Sequence, residues 1–198
     1  MSLGSGWKLC NMRRSARCHL APPKEQNMNI YIIRHAIAVE PGAPGYEDDS
    51  LRPLTGKGSE KMTNIARGLK SLGLRFDLVL SSPYARALET AKILLKVMKM
   101  DKEQLVITEH LAPMGFPEQV IGEINENYSS LESIAVVGHE PNLSALISLL
   151  AAGDAELAIN MRKGGVCCLN AENLLHERRA TLEWLLMPKH LVALGERE

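Results

Sequence analysis

The stretch Ile30-Tyr31-Ile32-Ile33-Arg34-His35 limits what this chain can fold into more than any other. A short continuous run of β-branched and aromatic residues predicts a strand buried on both faces, as in a parallel sheet. The run ends abruptly in a permanent cation and an imidazole, ahead of a loop rich in Pro and Gly. Ligands of open α/β sheets bind in the crevice beyond the carboxyl ends of the strands, where Arg34 and His35 would lie. A neutral imidazole there can act as a nucleophile, and a guanidinium can hold an anion with a planar fork of donors.

The rest of the chain repeats this pattern of strand, chemistry and helix. The loop over residues 37–55 carries Pro41, Gly42, Pro44, Gly45 and the acids Glu47, Asp48 and Asp49, which read as a solvated face. Loops of this length are usually functional. The loop closes in Arg52-Pro53-Leu54-Thr55, with Thr55 as the expected N-cap of a helix reaching Leu72, and Gly73 stops that helix. A second strand is expected over residues 76–81. Ser82 as N-cap and Pro83 at the first helical position would then open a helix with Arg86 in its first turn. A cation at the positive end of a helix is locally unfavourable unless an anion binds between them.

A third strand is expected over residues 104–108, a helix over 117–127, and a fourth strand over 133–137 running into Gly138-His139-Glu140-Pro141. A helix to about residue 151 follows, then strands around 166–169 and over 181–186, the last ended by Pro188. The alternation predicts an α/β fold: a single three-layer domain with a mainly parallel central sheet flanked by helices.

With 198 residues the chain suits one domain, and 45% hydrophobic and 23% charged residues are ordinary for a globular protein. The formal net charge is zero, so the overall balance points neither to nucleic acid nor to a membrane surface. The longest apolar stretch, residues 143–152, is too short to span a bilayer. Cys10 and Cys18 lie near the N-terminus, and Cys167 and Cys168 are neighbours on an expected strand, where they would point to opposite faces. No Cys-x-x-Cys pair occurs, so a reducing, cytoplasmic setting is expected and no metal site. Cys18-His19 supplies only two metal-ligand types. Residues 1–27 are basic: Lys8, Arg13, Arg14, Arg17 and Lys24 precede the first acid, Glu25. They read as a loosely packed leader ahead of a domain over residues 28–198.

If strands one, two and four are parallel neighbours, Arg34, His35, Arg86 and His139 converge on one crevice, and Arg52 reaches it from the long loop. Three guanidiniums and two imidazoles make a pocket for a highly charged oxyanion, for which phosphate is the obvious candidate.

Ile33-Arg34-His35 after a first strand, Arg52-Pro53-Leu54-Thr55, Ser82-Pro83 with Arg86, and Val137-Gly138-His139 resemble the motifs of the histidine phosphatase superfamily. The wording Asp49-Ser50-Leu51-Arg52-Pro53-Leu54-Thr55 and Gly138-His139-Glu140-Pro141 is most similar to SixA-type phosphohistidine phosphatases. The resemblance spans residues 28–186 and implies a phosphoglycerate mutase-like fold. It implies that His35 is the phosphorylated nucleophile, and that Arg34, Arg52, Arg86 and His139 hold the phosphoryl oxygens. No cofactor or metal is implied. The expected partner is a phosphohistidine-containing protein as substrate, with the chain itself a monomer or weak dimer. One departure stands out: the superfamily usually has Gly after the nucleophile, and here Ala36 adds a Cβ and disfavours positive φ. Larger members carry a glutamate general acid; Glu109 and His110 fall in that region without its surrounding pattern. A small-molecule phosphomonoesterase and a catalytically weak phosphate-binding module are the alternatives.

Overall fold

The computed structural model describes Met1, residues 27–171 and residues 180–196. The basic leader, with Cys10, Cys18 and His19, lies outside the described residues apart from Met1 and Asn27. A six-stranded sheet has the order β3-β2-β4-β1-β5-β6. Its strands are β1 (Met28–Arg34), β2 (Leu78–Ser81), β3 (Leu105–Ile107), β4 (Ser133–Gly138), β5 (Val166–Ala171) and β6 (Thr181–Leu186). The four strands from β3 to β1 are mutually parallel, while β5 and β6 add an antiparallel edge.

Alternation along the central strands builds a core on each face, because successive strand side chains point oppositely. Ile30 and Ile32 of β1, Ile134 and Val136 of β4, and Cys167 and Leu169 of β5 belong to one apolar cluster. Tyr31 and Ile33, Ala135 and Val137, and Val166 and Cys168 belong to the other. Burial on both faces explains why these strands read as continuous apolar runs. The first cluster is closed by α3 (Pro117–Asn127) and α4 (Asn142–Ala152), the second by α1 (Gly56–Ser71), α2 (Ala85–Met98) and α5 (Pro188–Gly195). This is the three-layer α/β arrangement expected from the sequence. Among the described residues, no helix is long and apolar enough to cross a membrane.

Two helix starts differ from the sequence reading. Tyr84, not Ser82, caps α2, which begins at Ala85; Pro83 therefore precedes the helix. The Ser82 hydroxyl accepts a hydrogen bond from the Tyr84 amide at 3.3 Å but lies fully buried, turned to other work. Pro188 does not merely end β6. It opens α5, since a missing N–H costs nothing at a first helical position. Thr55, by contrast, caps α1 as its sequence predicts, accepting from the Gly58 amide at 2.9 Å.

Helix α5 lies so close to α1 that glycines are required at the contact. A Cβ on Gly68 would sit 2.0 Å from the Leu191 carbonyl oxygen, and one on Gly195 would sit 2.1 Å from that of Asn64. Gly122, inside α3, has open space where its Cβ would be. Gly68→Ala should therefore destabilise the fold by about 1–3 kcal/mol, the scale of overpacking. Gly122→Ala should stabilise it by about 0.5–1 kcal/mol through helix propensity. Urea denaturation midpoints of the two variants should move in opposite directions from wild type.

Candidate active site

The parallel register brings three strand ends into line. Arg34 pairs with Gly138 and Ser81 with Val137, and the ladder continues one residue further. The His35 amide donates to the Gly138 carbonyl at 3.1 Å, and the Ser82 amide to that of Val137 at 3.0 Å. His35, His139 and Ser82 thus stand side by side at the carboxyl edge of β1, β4 and β2. The two imidazoles lie 4.9 Å apart between ring centroids, and His139 Nε2 is 2.9 Å from the Ser82 hydroxyl.

His35 is only 6% exposed, and its Nδ1 is 2.8 Å from the carbonyl of Ala36. A carbonyl can only accept, so Nδ1 carries the proton and Nε2 keeps its lone pair in the neutral ring. Burial pushes the His35 pKa down to about 3; the Ala36 carbonyl opposes this, and the charges of Arg86, Arg34 and Lys163 add to it. His139 is pushed down to about 2, by burial first and then by His35 and Arg86. Both rings are therefore neutral at ordinary pH.

The guanidiniums of Arg52 and Arg86 meet on one carboxylate. Arg52 gives Nε and Nη2 to Asp49 Oδ1, each at 2.7 Å, and Nη1 to the carbonyl of Val39. Arg86 gives Nη2 to Asp49 Oδ2 at 2.9 Å and Nη1 to the Asp49 carbonyl at 2.7 Å. Burial raises the Asp49 pKa, but the Arg52 hydrogen bonds and the Arg86 charge outweigh it, and the carboxyl sits below its ordinary range. Arg86 also stacks on Tyr84, its guanidinium carbon 5.0 Å from the ring centroid, and Tyr84 packs edge-on against His139 at 5.3 Å. Arg34 donates to the Met161 carbonyl at 2.7 Å.

Three nitrogens of this cluster are buried without a hydrogen-bond partner: Arg34 Nε, Arg86 Nε and His139 Nδ1. Buried polar atoms are almost always paired, and orphans grouped in one crevice mark a place built for a ligand. Two of the three are guanidinium donors, so the arrangement suits an anion with several oxygens.

Comparison with known proteins gives this cluster a family. Residues 30–118 match the profile of the histidine phosphatase superfamily (branch 1). An uncharacterized protein of Picosynechococcus is 31% identical over 145 residues, covering 73% of this chain and 86% of its own. The phosphohistidine phosphatase SixA of Escherichia coli is 28% identical over 128 residues, covering 64% of this chain and 76% of its own. The solved structure of the protein histidine phosphatase SixA complexed with tungstate superposes with a TM-score of 0.71 at 23% identity, covering 83% of this chain and 99% of that one. The chain belongs to the histidine phosphatase superfamily.

All five residues that the superfamily motifs single out, Arg34, His35, Arg52, Arg86 and His139, come together at this edge of the sheet. The alanine that departs from the superfamily pattern fits without strain. Lys99 is the one non-glycine residue with positive φ among those described, so Ala36 has an ordinary backbone. Its methyl group is buried in the core, its carbonyl holds His35, and its amide donates to Thr90 Oγ1 at 3.1 Å. Thr90 in turn donates to the Arg86 carbonyl at 2.7 Å, linking the two halves of the site.

Three residues to which the sequence reading gave no role in the site take a larger part. Asp49, assigned to a solvated face, bridges two guanidiniums; its place three residues before Arg52 was the available signal. Ser82 contacts His139 instead of capping a helix. Lys163, read as solvated, is half-buried, and its charge is felt at His35. Glu109 is exposed, on a 3-10 turn after edge strand β3, with β2 and β4 between that strand and β1. His110 faces α3 instead, with Nδ1 3.1 Å from Gln119 Oε1.

The depressed imidazole pKa values set the direction of the pH dependence. An unfolded chain takes protons on both imidazoles as pH falls through about 6.5, while the fold keeps His35 neutral to about 3 and His139 to about 2. Stability is then fully present above pH 6.5 and is lost as pH falls from there towards 3. The His35 ring resonances should not titrate between pH 8 and 5 by NMR. The drop in urea midpoint between pH 7 and 5 should be smaller in His35→Gln than in wild type.

Proposed function

We propose that the chain is a phosphohistidine phosphatase that takes the phosphoryl group from a protein histidine onto its own His35 and then releases it to water. The observation that carries this reading is a buried neutral imidazole, tied through Nδ1 to the Ala36 carbonyl, beside three guanidiniums, two of which keep a buried Nε donor without a partner. Such a ring has its nucleophilic lone pair on Nε2 at any ordinary pH.

In the first step the Nε2 lone pair of His35 forms a bond to phosphorus in line with the departing nitrogen. The old P–N bond breaks and its electron pair stays as a lone pair on the substrate ring, which leaves as neutral imidazole because its other nitrogen carries a proton. Positive charge gained by the His35 ring is held at Nδ1–H against Ala36. Water then attacks phosphorus, loses a proton to solvent, and returns the lone pair to Nε2 as inorganic phosphate leaves. Arg34, Arg52, Arg86 and His139 offset the charge on the transferring oxygens, the main form of catalysis open to a protein in phosphoryl transfer. This reading uses no metal, so a chelator should not change turnover.

Leaving-group chemistry supports phosphohistidine as the substrate class. Nucleophile and leaving group are both imidazoles, weak bases with an ordinary pKa near about 6.5. An alkoxide needs a proton in the transition state, worth about 10²–10⁴-fold. We take the site to lack a positioned acid, with Glu109 exposed after edge strand β3 and His110 set against Gln119 of α3. The relative named phosphohistidine phosphatase points the same way. The proposed setting is a reducing cytoplasm; Cys167 and Cys168 are buried and unbridged, and burial pushes their thiols up to about 12 and about 11.

His35→Ala should abolish both turnover and the acid-labile phosphoenzyme trapped from labelled phosphohistidine protein; more than a few per cent residual rate would overturn the covalent route. Arg52→Ala or Arg86→Ala should each cost about 2–4 kcal/mol of transition-state stabilisation, measured as kcat/KM, with weaker tungstate inhibition in parallel. Phosphohistidine and phosphoramidate should be hydrolysed well, aryl phosphates poorly and alkyl phosphates hardly at all. An alkyl phosphate as the best substrate, lost in Glu109→Gln, would make the protein a phosphomonoesterase instead.

A further inference from the structure

Beside the phosphoryl site lies a cleft of about 770 Å³ whose wall includes Arg34, Lys61, Arg162, Lys163 and Lys189. Among the described residues no carboxylate contributes to that wall, and none of the five cations forms an ion pair. The cations converge from four parts of the chain: the end of β1, α1, the loop before β5, and the start of α5. In a chain of zero net charge this is a strong local concentration of one sign. The cleft adjoins the site: Arg34 lines it, and the amide after Lys163, that of Gly164, donates to the carbonyls of Arg34 and His35 at 3.0 and 3.2 Å.

We infer that this cleft binds an acidic segment of the substrate protein flanking its phosphohistidine, so that carboxylates of the substrate help seat the reacting imidazole. This rests on the phosphohistidine reading and specifies which proteins the site would accept. The volume exceeds what one phosphoryl group needs, and a lined cleft with one sign of charge raises the local concentration of oppositely charged ligands. Three of the five cations are lysines, mobile point charges that adapt to carboxylates at varied positions. Among the described residues the apolar part of the wall is Ile37, Met187 and Pro188, with no aromatic ring on which a nucleotide base could stack.

Two synthetic peptides carrying one phosphohistidine each, flanked by Asp and Glu or by Asn and Gln, test the inference. The wild-type enzyme should prefer the acidic peptide by about tenfold in kcat/KM, chiefly through KM, and added salt should erase the preference. The double variant Lys61→Glu/Lys189→Glu should lose the preference while hydrolysing phosphoramidate, which has no flanks, at the wild-type rate. A fluorescein-labelled acidic peptide without phosphate reads the cleft by anisotropy independently of turnover, and its affinity should fall about tenfold in the double variant. Absence of phosphoramidate and phosphohistidine turnover with this binding intact would defeat the phosphatase reading alone. Equal kcat/KM for the two peptides, or an anisotropy titration unmoved by the double variant, would overturn the acidic-segment assignment. So would pentane-1,5-bisphosphate competing with phosphoramidate in wild type but not in the double variant, without any preference for acidic flanks. The cleft would then be a second phosphate site.

Discussion

The Nδ1 proton of His35 is held against the Ala36 carbonyl at 2.8 Å, and the chemistry available to this site depends on that bond. It decides the tautomer, and the tautomer decides which nitrogen presents a lone pair. Burial and the neighbouring cations act in the same direction, keeping the ring neutral where a solvated histidine would be half charged near pH 6.5. The bond also explains why an alanine serves at position 36. Position 36 supplies a backbone carbonyl to His35 with ordinary φ, and its methyl group belongs to the apolar cluster that also holds Ile33 and Val166.

Asp49 gives the cations around that ring a fixed geometry. Two guanidiniums from different parts of the chain, one on the long loop and one on α2, would repel each other; a carboxylate between them turns repulsion into a link. The carboxylate is half exposed, so the link contributes more to position than to stability. Beyond it, Thr90 ties the Arg86 turn to the Ala36 amide, and Tyr84 spans the gap between Arg86 and His139. Arg34 and His35 are held by the backbone carbonyls of Met161 and Ala36, and the three nitrogens without partners are left among held groups. Preorganised donors of this kind stabilise developing charge without reorganising during a reaction.

The basic cleft owes its existence to packing at the opposite end of the chain. Close approach of α5 to α1, possible only with glycine at positions 68 and 195, sets Pro188 and Lys189 across from Lys61. The turn at Gly164, with φ of +80°, brings Arg162 and Lys163 to the same wall and bonds to the ends of β1. Core geometry and surface charge are connected here: the contact between α1 and α5 also shapes the ground next to the candidate active site.

Much of this was legible in the sequence because the relevant signals are local. Continuous apolar runs such as Ile30–Ile33 mark doubly buried strands, and strand ends occupied by Arg34-His35 and Gly138-His139 mark a crevice, since ligand sites of α/β sheets lie there. Thr55 and Gly73 marked the limits of α1 through cap chemistry that involves only neighbouring residues. What the sequence left undetermined involves partners distant along the chain. Whether Ser82 caps a helix or faces His139 depends on where β4 lies, 57 residues later. Whether Asp49 is solvated depends on Arg86, 37 residues away. The antiparallel turn of β5 against β1, the helix that follows Pro188 and the convergence of five cations on one cleft follow from how the layers close. Propensity and periodicity report what a segment does by itself; pairing of charges and orphaned donors exist only once the strands are in register, and tertiary structure alone decides them.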